Sequence, residues 1–490
     1  MTLIGSDKFT IVIGLGKTGL SCARYLSNLG EAFGVVDTRA EPPLLAQFRE
    51  NYPGIPVECG ELNADSLMQA SRLIVSPGVS RDLAAIRQAE ASGVEVLGDI
   101  DLFCRAARAP IVAITGSNAK STVTTLVGEM AKCAGINVGV GGNLGIPVLE
   151  LLANDEQQGG DEKELYVLEL SSFQLETTSE LRAAVATVLN VSPDHMDRYP
   201  NLMAYHQAKH RVYKGCEKAV FNGDDSLTAP LIPEVTPRAQ FALKTPDIGN
   251  YGVITEGGEQ FLARGLEKLL PVESLKMPGQ HNVANALAAL ALGDAVNIPL
   301  QAMLDTLQKF CGLEHRCQWI RELNGVEYFN DSKGTNVGAT LAAIEGFGNQ
   351  LQRKGEGRIV LIAGGDGKGA DFSDLKEPLL KWGRTAVLIG TDRESIADVL
   401  EPDISVLRVD GFKDAIEQAR SAACPGDIVL LSPACASFDM FKGFEDRGDQ
   451  FMAQVRALVE IEQPERAASE YSQPLDKDAS EEKVSQDDQS

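Results

Sequence analysis

Apolar positions along this chain fall into short continuous runs, most of them followed by a small-residue turn and then by a stretch of helical period. The run Phe9-Thr-Ile-Val-Ile13 reads as a buried strand, leads into Gly14-Leu-Gly-Lys-Thr-Gly19, and gives way to a helix begun by Leu20, Ala23, Tyr25 and Leu26. Strands are also predicted at Phe33–Val36, Leu73–Val75, Ile111–Ile114, Val138–Asn143, Tyr166–Glu169 and Thr187–Asn190. After Ile111–Ile114, the residues Val123, Leu126, Val127, Met130 and Ala134 recur at helical spacing. Between Phe241 and Leu275 the pattern is hairpin-like and predicts a small antiparallel sheet, and the polar stretch from Glu150 to Glu164 reads as a surface loop. Farther on, Val326–Phe329, Arg358–Ile362, Thr385–Ile389 and Ile428–Leu431 alternate with helical patterns, which argues for a mostly parallel sheet. From about Gln463 the chain becomes polar and acidic, too poor in apolar residues to offset the entropy of ordering, and is expected to be a disordered tail.

At 490 residues the chain exceeds one ordinary core, and about 150 residues per domain gives three. The pattern sets them at 1–98, 99–312 and 313–462, with the tail at 463–490. Hydrophobic and charged contents of 44% and 23% are those of a globular protein. No leader pattern and no run of membrane-spanning length is present, so membrane insertion is not expected. A net charge of −24 argues against broad nucleic-acid binding and means that any anionic substrate is held by local cations and backbone N–H groups. Nine scattered cysteines without a C-x-x-C pair read as reduced thiols in a cytoplasmic protein.

The loop Thr115-Gly-Ser-Asn-Ala-Lys-Ser-Thr122 stands between a strand and a helix, where backbone N–H groups and a helix N-terminus cradle phosphate. Lys120 would reach the outer phosphates and Ser121 a magnesium ion, although the loop is short and Ala119 replaces the usual glycine before the lysine. Glu169, at the end of an apolar strand, is placed as a metal-binding acid beside such a loop. In the first domain, G-x-G-x-x-G with Asp37 closing the next strand predicts a nucleotide or diphosphate site; it does not by itself specify NAD, and a nicotinamide-dependent enzyme remains a rival on this evidence. His206 and His210 lie one helical turn apart, but the general-base Glu of a zinc-protease motif is missing, so zinc is not expected. Lys209, read alone, is an ordinary helix-surface lysine.

Taken together, Gly116-Ser-Asn-Ala-Lys-Ser-Thr122, Glu169-Leu-Ser-Ser-Phe-Gln-Leu-Glu176, Asp194-His-Met-Asp-Arg-Tyr199, Gly279-Gln-His-Asn282 with Asn285, and Asn330-Asp-Ser-Lys333 resemble the Mur ligases. The resemblance runs from about residue 9 to 458. It implies an α/β chain of three domains: a Rossmann-like first domain, a central P-loop-type ATP-binding domain and a Rossmann-like third domain. The implied reaction is ATP-driven amide formation through an acyl phosphate. The third-domain stretches Gly364-Gly-Asp-Gly-Lys368 and Ser432–Gly448 point to D-glutamate as the amino acid and UDP-N-acetylmuramoyl-L-alanine as the carboxylate partner; a ligase for another amino acid, or for folate and glutamate, is the nearest alternative.

The same resemblance implies site residues. Gly116, Ser117, Asn118, Ala119, Lys120, Ser121, Thr122, Asn282, Asn285, Arg316, Asp331 and Lys333 would hold ATP. Two Mg²⁺ would be held by Ser121, Glu169, His195 and Lys209, the last as a carbamate because an ammonium cannot ligate Mg²⁺; Lys120, His195 and Lys209 would be catalytic. Lys17, Thr18, Asp37, Thr38, Arg39, Gly78, Asn143 and His195 would bind the UDP-sugar, and Thr335, Lys368, Ser437 and Phe444 the D-glutamate. A cytoplasmic monomer is expected. Two departures from the family pattern stand out: Ala119, which could crowd the γ-phosphate or demand a negative φ, and Gly334, where alanine is common.

Overall fold

A computed structural model describes residues 9–157, 162–277 and 279–459. The expected tail at 463–490 therefore lies outside the described residues. Three sheets follow one another along the chain. The first contains β1 (Thr10–Ile13), β2 (Phe33–Asp37), β3 (Val57–Cys59), β4 (Arg72–Val75) and β5 (Glu95–Leu97), all parallel, in the order β3-β2-β1-β4-β5. Strand order reverses between β1 and β4, which opens a crevice beyond their carboxyl ends. Gly14 turns the chain there at φ +97, and a Cβ on Gly19 would stand 1.9 Å from the Gly14 carbonyl oxygen. Gly19 is thus dictated by the approach of the helix Lys17–Asn28 to its strand, and Gly14 by its left-handed backbone and by Ser76, which a Cβ there would meet at 2.9 Å.

The central sheet has nine strands: β6 (Ile111–Thr115), β7 (Val138–Gly142), β8 (Leu165–Glu169), β9 (Val185–Val188), β10 (Lys218–Asn222), β11 (Arg238–Phe241), β12 (Tyr251–Glu256), β13 (Glu259–Arg264) and β14 (Glu267–Pro271). Their order is β14-β13-β12-β11-β10-β9-β6-β8-β7, so β6 is covered on both sides and its residues are all buried. The predicted antiparallel hairpin exists, but not as a separate small sheet. β12 pairs in parallel with β11 at Phe241↔Tyr251, and the antiparallel strands extend the edge of the parallel sheet. The stretch predicted as a loop from Glu150 begins inside a helix, Val148–Gln157, whose apolar residues Val148, Leu149 and Leu151 join the core and override the polar letters after them. The helix Lys120–Cys133 packs against Gln280–Ala295, with Val123, Leu126, Val127 and Met130 at zero exposure.

The third sheet runs β15-β16-β20-β17-β18-β19, from β15 (Gln318–Leu323), β16 (Val326–Asn330), β17 (Ile359–Gly364), β18 (Gly383–Ile389), β19 (Ser405–Arg408) and β20 (Ile428–Leu431). It is parallel except for β15 against β16. Its four inner strands carry almost unbroken apolar runs because both faces are covered. No helix among the described residues is long and apolar enough to cross a membrane.

At the junction of the first and central sheets, the helix Asp99–Ala106 begins with two buried carboxylates. Asp101 accepts the backbone N–H groups of Ser179 and Glu180 at 2.8 and 2.9 Å. Asp99 is less well provided for: its Oδ1 is buried without a hydrogen-bond partner, and burial pushes its carboxyl up from 3.8 to about 6.

Candidate active site

The phosphate loop is fixed by the chain that leaves β9. Ser117 donates its N–H to the Asn190 carbonyl at 2.9 Å and its hydroxyl to the Ser192 carbonyl at 2.9 Å, while Asn118 N–H donates to Asn190 Oδ1 at 2.7 Å. Ala119 caps the helix Lys120–Cys133 in the left-handed region, at φ 66 and ψ −5. The loop therefore keeps the positive φ that glycine would supply, against the expectation that alanine demands a negative one. The conformation costs about 1–2 kcal/mol in a residue with a Cβ.

Lys120 and Lys209 meet at one acceptor: each ammonium donates to the Gly116 carbonyl at 2.8 Å. Lys209 is 1% exposed, with its Nζ 4.3 Å from the Tyr205 ring centre, so it is a core lysine and not the helix-surface residue its sequence position suggested. Burial, reinforced by Lys120, holds its amine well below the usual lysine range. Lys120 is also lowered by burial, with Glu169 and Asp194 opposing. Two ammonium groups sharing one carbonyl in a dry site favour a neutral amine on the more strongly shifted one.

Glu169 accepts Asn143 Nδ2 at 2.7 Å on Oε1, while Oε2 is buried and unpartnered. Glu169 lines the same cavity as Lys120, Ser121, His195 and Lys209. His195 has left-handed backbone at φ 58, and its ring lies 4.8 Å from Phe173. Burial holds its imidazole below the ordinary value despite neighbouring Asp194. Among the described residues no group of three or more His, Cys, Asp or Glu side chains could hold a metal. His206 and His210 stack at 3.9 Å, and His210 Nε2 is committed to the Leu227 carbonyl at 2.7 Å.

The third domain closes over this loop. Arg316 donates to Ser121 Oγ at 2.8 Å. Lys333 places its ammonium 3.7 Å from the Phe444 ring centre, and burial, then Arg316 and Lys120, bring its amine down to about 8. Asp331, pushed up to about 6 by burial, accepts the Ser432 hydroxyl at 2.7 Å. Two cavities result. One, of about 380 Å³, is lined by Asn118, Ala119, Thr122, Asn282, Asn285, Arg316, Asp331 and Lys333. The other, of about 630 Å³, is lined by Ser117 to Ser121, Asn143, Glu169, His195, Lys209, Thr335, Lys368, Ser437 and Phe444. Asn118, Ala119, Arg316 and Lys333 border both.

Residues expected from widely separated stretches of the central and third domains thus converge. Those of the first domain stand apart from both cavities: Lys17 and Thr18 begin the first helix, Asp37 closes β2, and Thr38 and Arg39 follow it. There Asp37 accepts the Leu15 N–H at 2.6 Å and Arg39 Nη2 at 2.7 Å, and Gly78 follows β4 on the other side of the crevice. Three residues escaped the sequence reading. Asp194 accepts Lys368 Nζ at 2.8 Å; Asn336 Nδ2 donates to Asn118 and Asp194. Arg447, with no exposed surface, donates Nη2 to the Ser332 carbonyl at 2.8 Å and Nη1 to that of Cys435 at 3.3 Å, propping two loops of the second cavity. An arginine on the apolar face of an otherwise amphipathic helix was the available signal.

Family models match the chain in order: a Mur ligase MurD-like N-terminal domain at 8–98, a Mur ligase middle domain at 114–293 and a Mur ligase glutamate ligase domain at 315–435. The UDP-N-acetylmuramoylalanine–D-glutamate ligase of Pseudomonas fluorescens is 57% identical over 94% of this chain and all of its own length. The enzyme of that name from Acinetobacter baylyi is 51% identical over 93% of this chain and all of its own length. Among solved structures, MurF ligase from Thermotoga maritima in complex with ADP shares the fold at a TM-score of 0.59, with 15% identity, 92% of this chain covered and 98% of that one. With all three domains matched in sequence order, and more than half of the aligned residues shared with full-length relatives, the chain belongs to the Mur ligase family.

Proposed function

We propose that the protein joins D-glutamate to UDP-N-acetylmuramoyl-L-alanine at the expense of ATP, in the cytoplasm, as a step of peptidoglycan precursor synthesis. The observation that carries this reading is the pair of cavities meeting at Asn118, Ala119, Arg316 and Lys333. The first suits a nucleotide. The second gathers a lysine, two hydroxyls and an aromatic ring suited to an amino dicarboxylate. A carboxylate is a poor electrophile; transfer of the γ-phosphoryl group gives an acyl phosphate, and the amine then displaces phosphate through a tetrahedral intermediate. The chain's part is to position the groups and neutralise charge. Lys120 and Arg316 face the transferring phosphoryl group, and Asp331 and the two asparagines Asn282 and Asn285 face the nucleoside.

The residues fit magnesium. The unpartnered Glu169 oxygen is a hard donor on a residue that lines the cavity, and Ser121, which lines it too, supplies a hydroxyl. A second ion would take His195 and Lys209. The neutral amine favoured for Lys209 can add CO₂, losing a proton and becoming a carbamate with two oxygens. Magnesium, when bound, neutralises phosphate charge. The UDP-sugar would lie from Lys17, Thr18, Asp37, Thr38, Arg39 and Gly78 toward Asn143 and His195. The chain would act as a monomer, with no nucleic-acid partner. ADP release with UDP-N-acetylmuramoyl-L-alanine against a panel of D- and L-amino acids tests the reading. Turnover confined to D-glutamate is expected; turnover with another amino acid, or none, refutes it.

A further inference from the structure

We infer that Asp194 is a positioning residue for the amino-acid substrate, orienting the Lys368 ammonium and tying the loops of the amino-acid cavity to the phosphate loop. The inference rests on the reading of Lys368 as the group that receives a substrate carboxylate. Lys368 follows β17 in left-handed backbone, at φ 53, with its N–H on Asp366 Oδ1 at 3.0 Å. Its side chain is 16% exposed, and its Nζ meets Asp194 Oδ1 at 2.8 Å. A lysine ammonium has three donors, so the pairing with Asp194 leaves two to point at a ligand. It also removes the rotamer freedom of a four-carbon stem before the ligand arrives, and that preorganisation favours binding.

The other Asp194 oxygen takes Asn336 Nδ2 at 3.2 Å. Asn336 is fully employed: its Oδ1 caps the helix Val337–Lys354 through Ala339 N–H at 2.9 Å, and its Nδ2 also reaches Asn118 Oδ1 at 3.1 Å. One carboxylate therefore sets Lys368, the residue next to Thr335, and their distance from the phosphate loop. Asp194 is itself a tenth exposed, and both of its oxygens are engaged, one by Lys368 and the other by Asn336. The opposite role on the same contact is competition of Asp194 with the substrate for Lys368. The two roles predict opposite changes in KM.

The experiment uses the full-length enzyme in steady-state ADP release, with Asp194→Asn, Lys368→Met and the double variant. Asp194→Asn keeps the shape and removes the charge. It is expected to raise the KM for D-glutamate about tenfold or more, with the KM values for ATP and the UDP-sugar acid little changed. Because Asp194 acts through Lys368, the double variant should be no worse than Lys368→Met alone. A lowered or unchanged KM for D-glutamate, or effects that multiply in the double variant, overturns the inference. Should Asp194→Asn lose its fold, Asp194→Glu retains the charge with the oxygens displaced by a methylene. A severalfold rise in the same KM is then expected, and an unchanged value overturns the inference. A wild-type enzyme that ligates no D-glutamate fails the earlier reading and this one with it; a wild type that does, beside an unaffected variant, fails this one alone.

Discussion

Asp99→Asn should stabilise the joint between the first and central domains, by an amount that depends on pH in a predictable way. Asp99 opens the helix Asp99–Ala106, is 3% exposed and has one carboxylate oxygen without a partner. Its carboxyl titrates near about 6 in the folded chain against 3.8 ordinarily, because burial outweighs the helix N–H groups and Gln174 that favour the charged form. The folded value is the raised one, so the native state binds the extra proton. The stabilisation is complete below about pH 3.8 and is lost as pH rises through about 6. Two units correspond to about 3 kcal/mol withdrawn at pH 8. Asparagine imitates the protonated acid and cannot ionise. The variant's advantage over wild type should therefore grow by about 3 kcal/mol between pH 4 and pH 8. Hydrogen–deuterium exchange of the peptide covering the helix reads this directly. Comparing both proteins at the same pH cancels the intrinsic exchange rate, and protection in the variant should gain about a hundredfold at pH 8 relative to pH 4. An advantage that stays constant with pH, or shrinks as pH rises, refutes the reasoning.

Lys209→Ala should abolish ligation, and short-chain carboxylates added in excess should restore part of it by replacing the carbamate oxygens; full rates without additive would remove Lys209 from the site. Lys368→Ala should raise the KM for D-glutamate by the worth of a charge-assisted hydrogen bond, about 1.5–3 kcal/mol, and an unchanged KM and kcat would count against its role. Ala119→Gly relieves about 1–2 kcal/mol of left-handed strain, partly offset by greater freedom of the unfolded chain. A melting temperature higher by about 1–3 °C with unaltered KM for ATP is expected, and a fall would show that packing of the methyl group decides the balance.

Much of the fold was legible because parallel strands covered on both faces leave continuous apolar runs, and β1, β6, β8, β17 and β20 all announce themselves this way. The short edge strands β3, β5 and β19 did not, since half-exposed letters carry little pattern over three or four residues. Val148–Gln157 was misread because tertiary burial of its first turns outweighs the polar residues that follow. At the site, the phosphate loop and Glu169 stand at strand ends, where local context gives them away. Lys209 does not: nothing in the letters around it separates a buried helical lysine from a solvated one, and only resemblance to a family singled it out. Asp194 and Asn336 received no role for a related reason, since their partners lie 174 and 218 residues away along the chain.

The bond from Arg316 to Ser121, together with the Asn336 contact to Asn118, has a kinetic corollary. These contacts tie the third domain to the loop that would cradle a triphosphate, and nucleotide entry is expected to wait for them to open. The observed association rate should consequently level off as nucleotide concentration rises, at a plateau equal to the rate of that breathing motion. Weakening either contact should lift the plateau even where the final affinity falls.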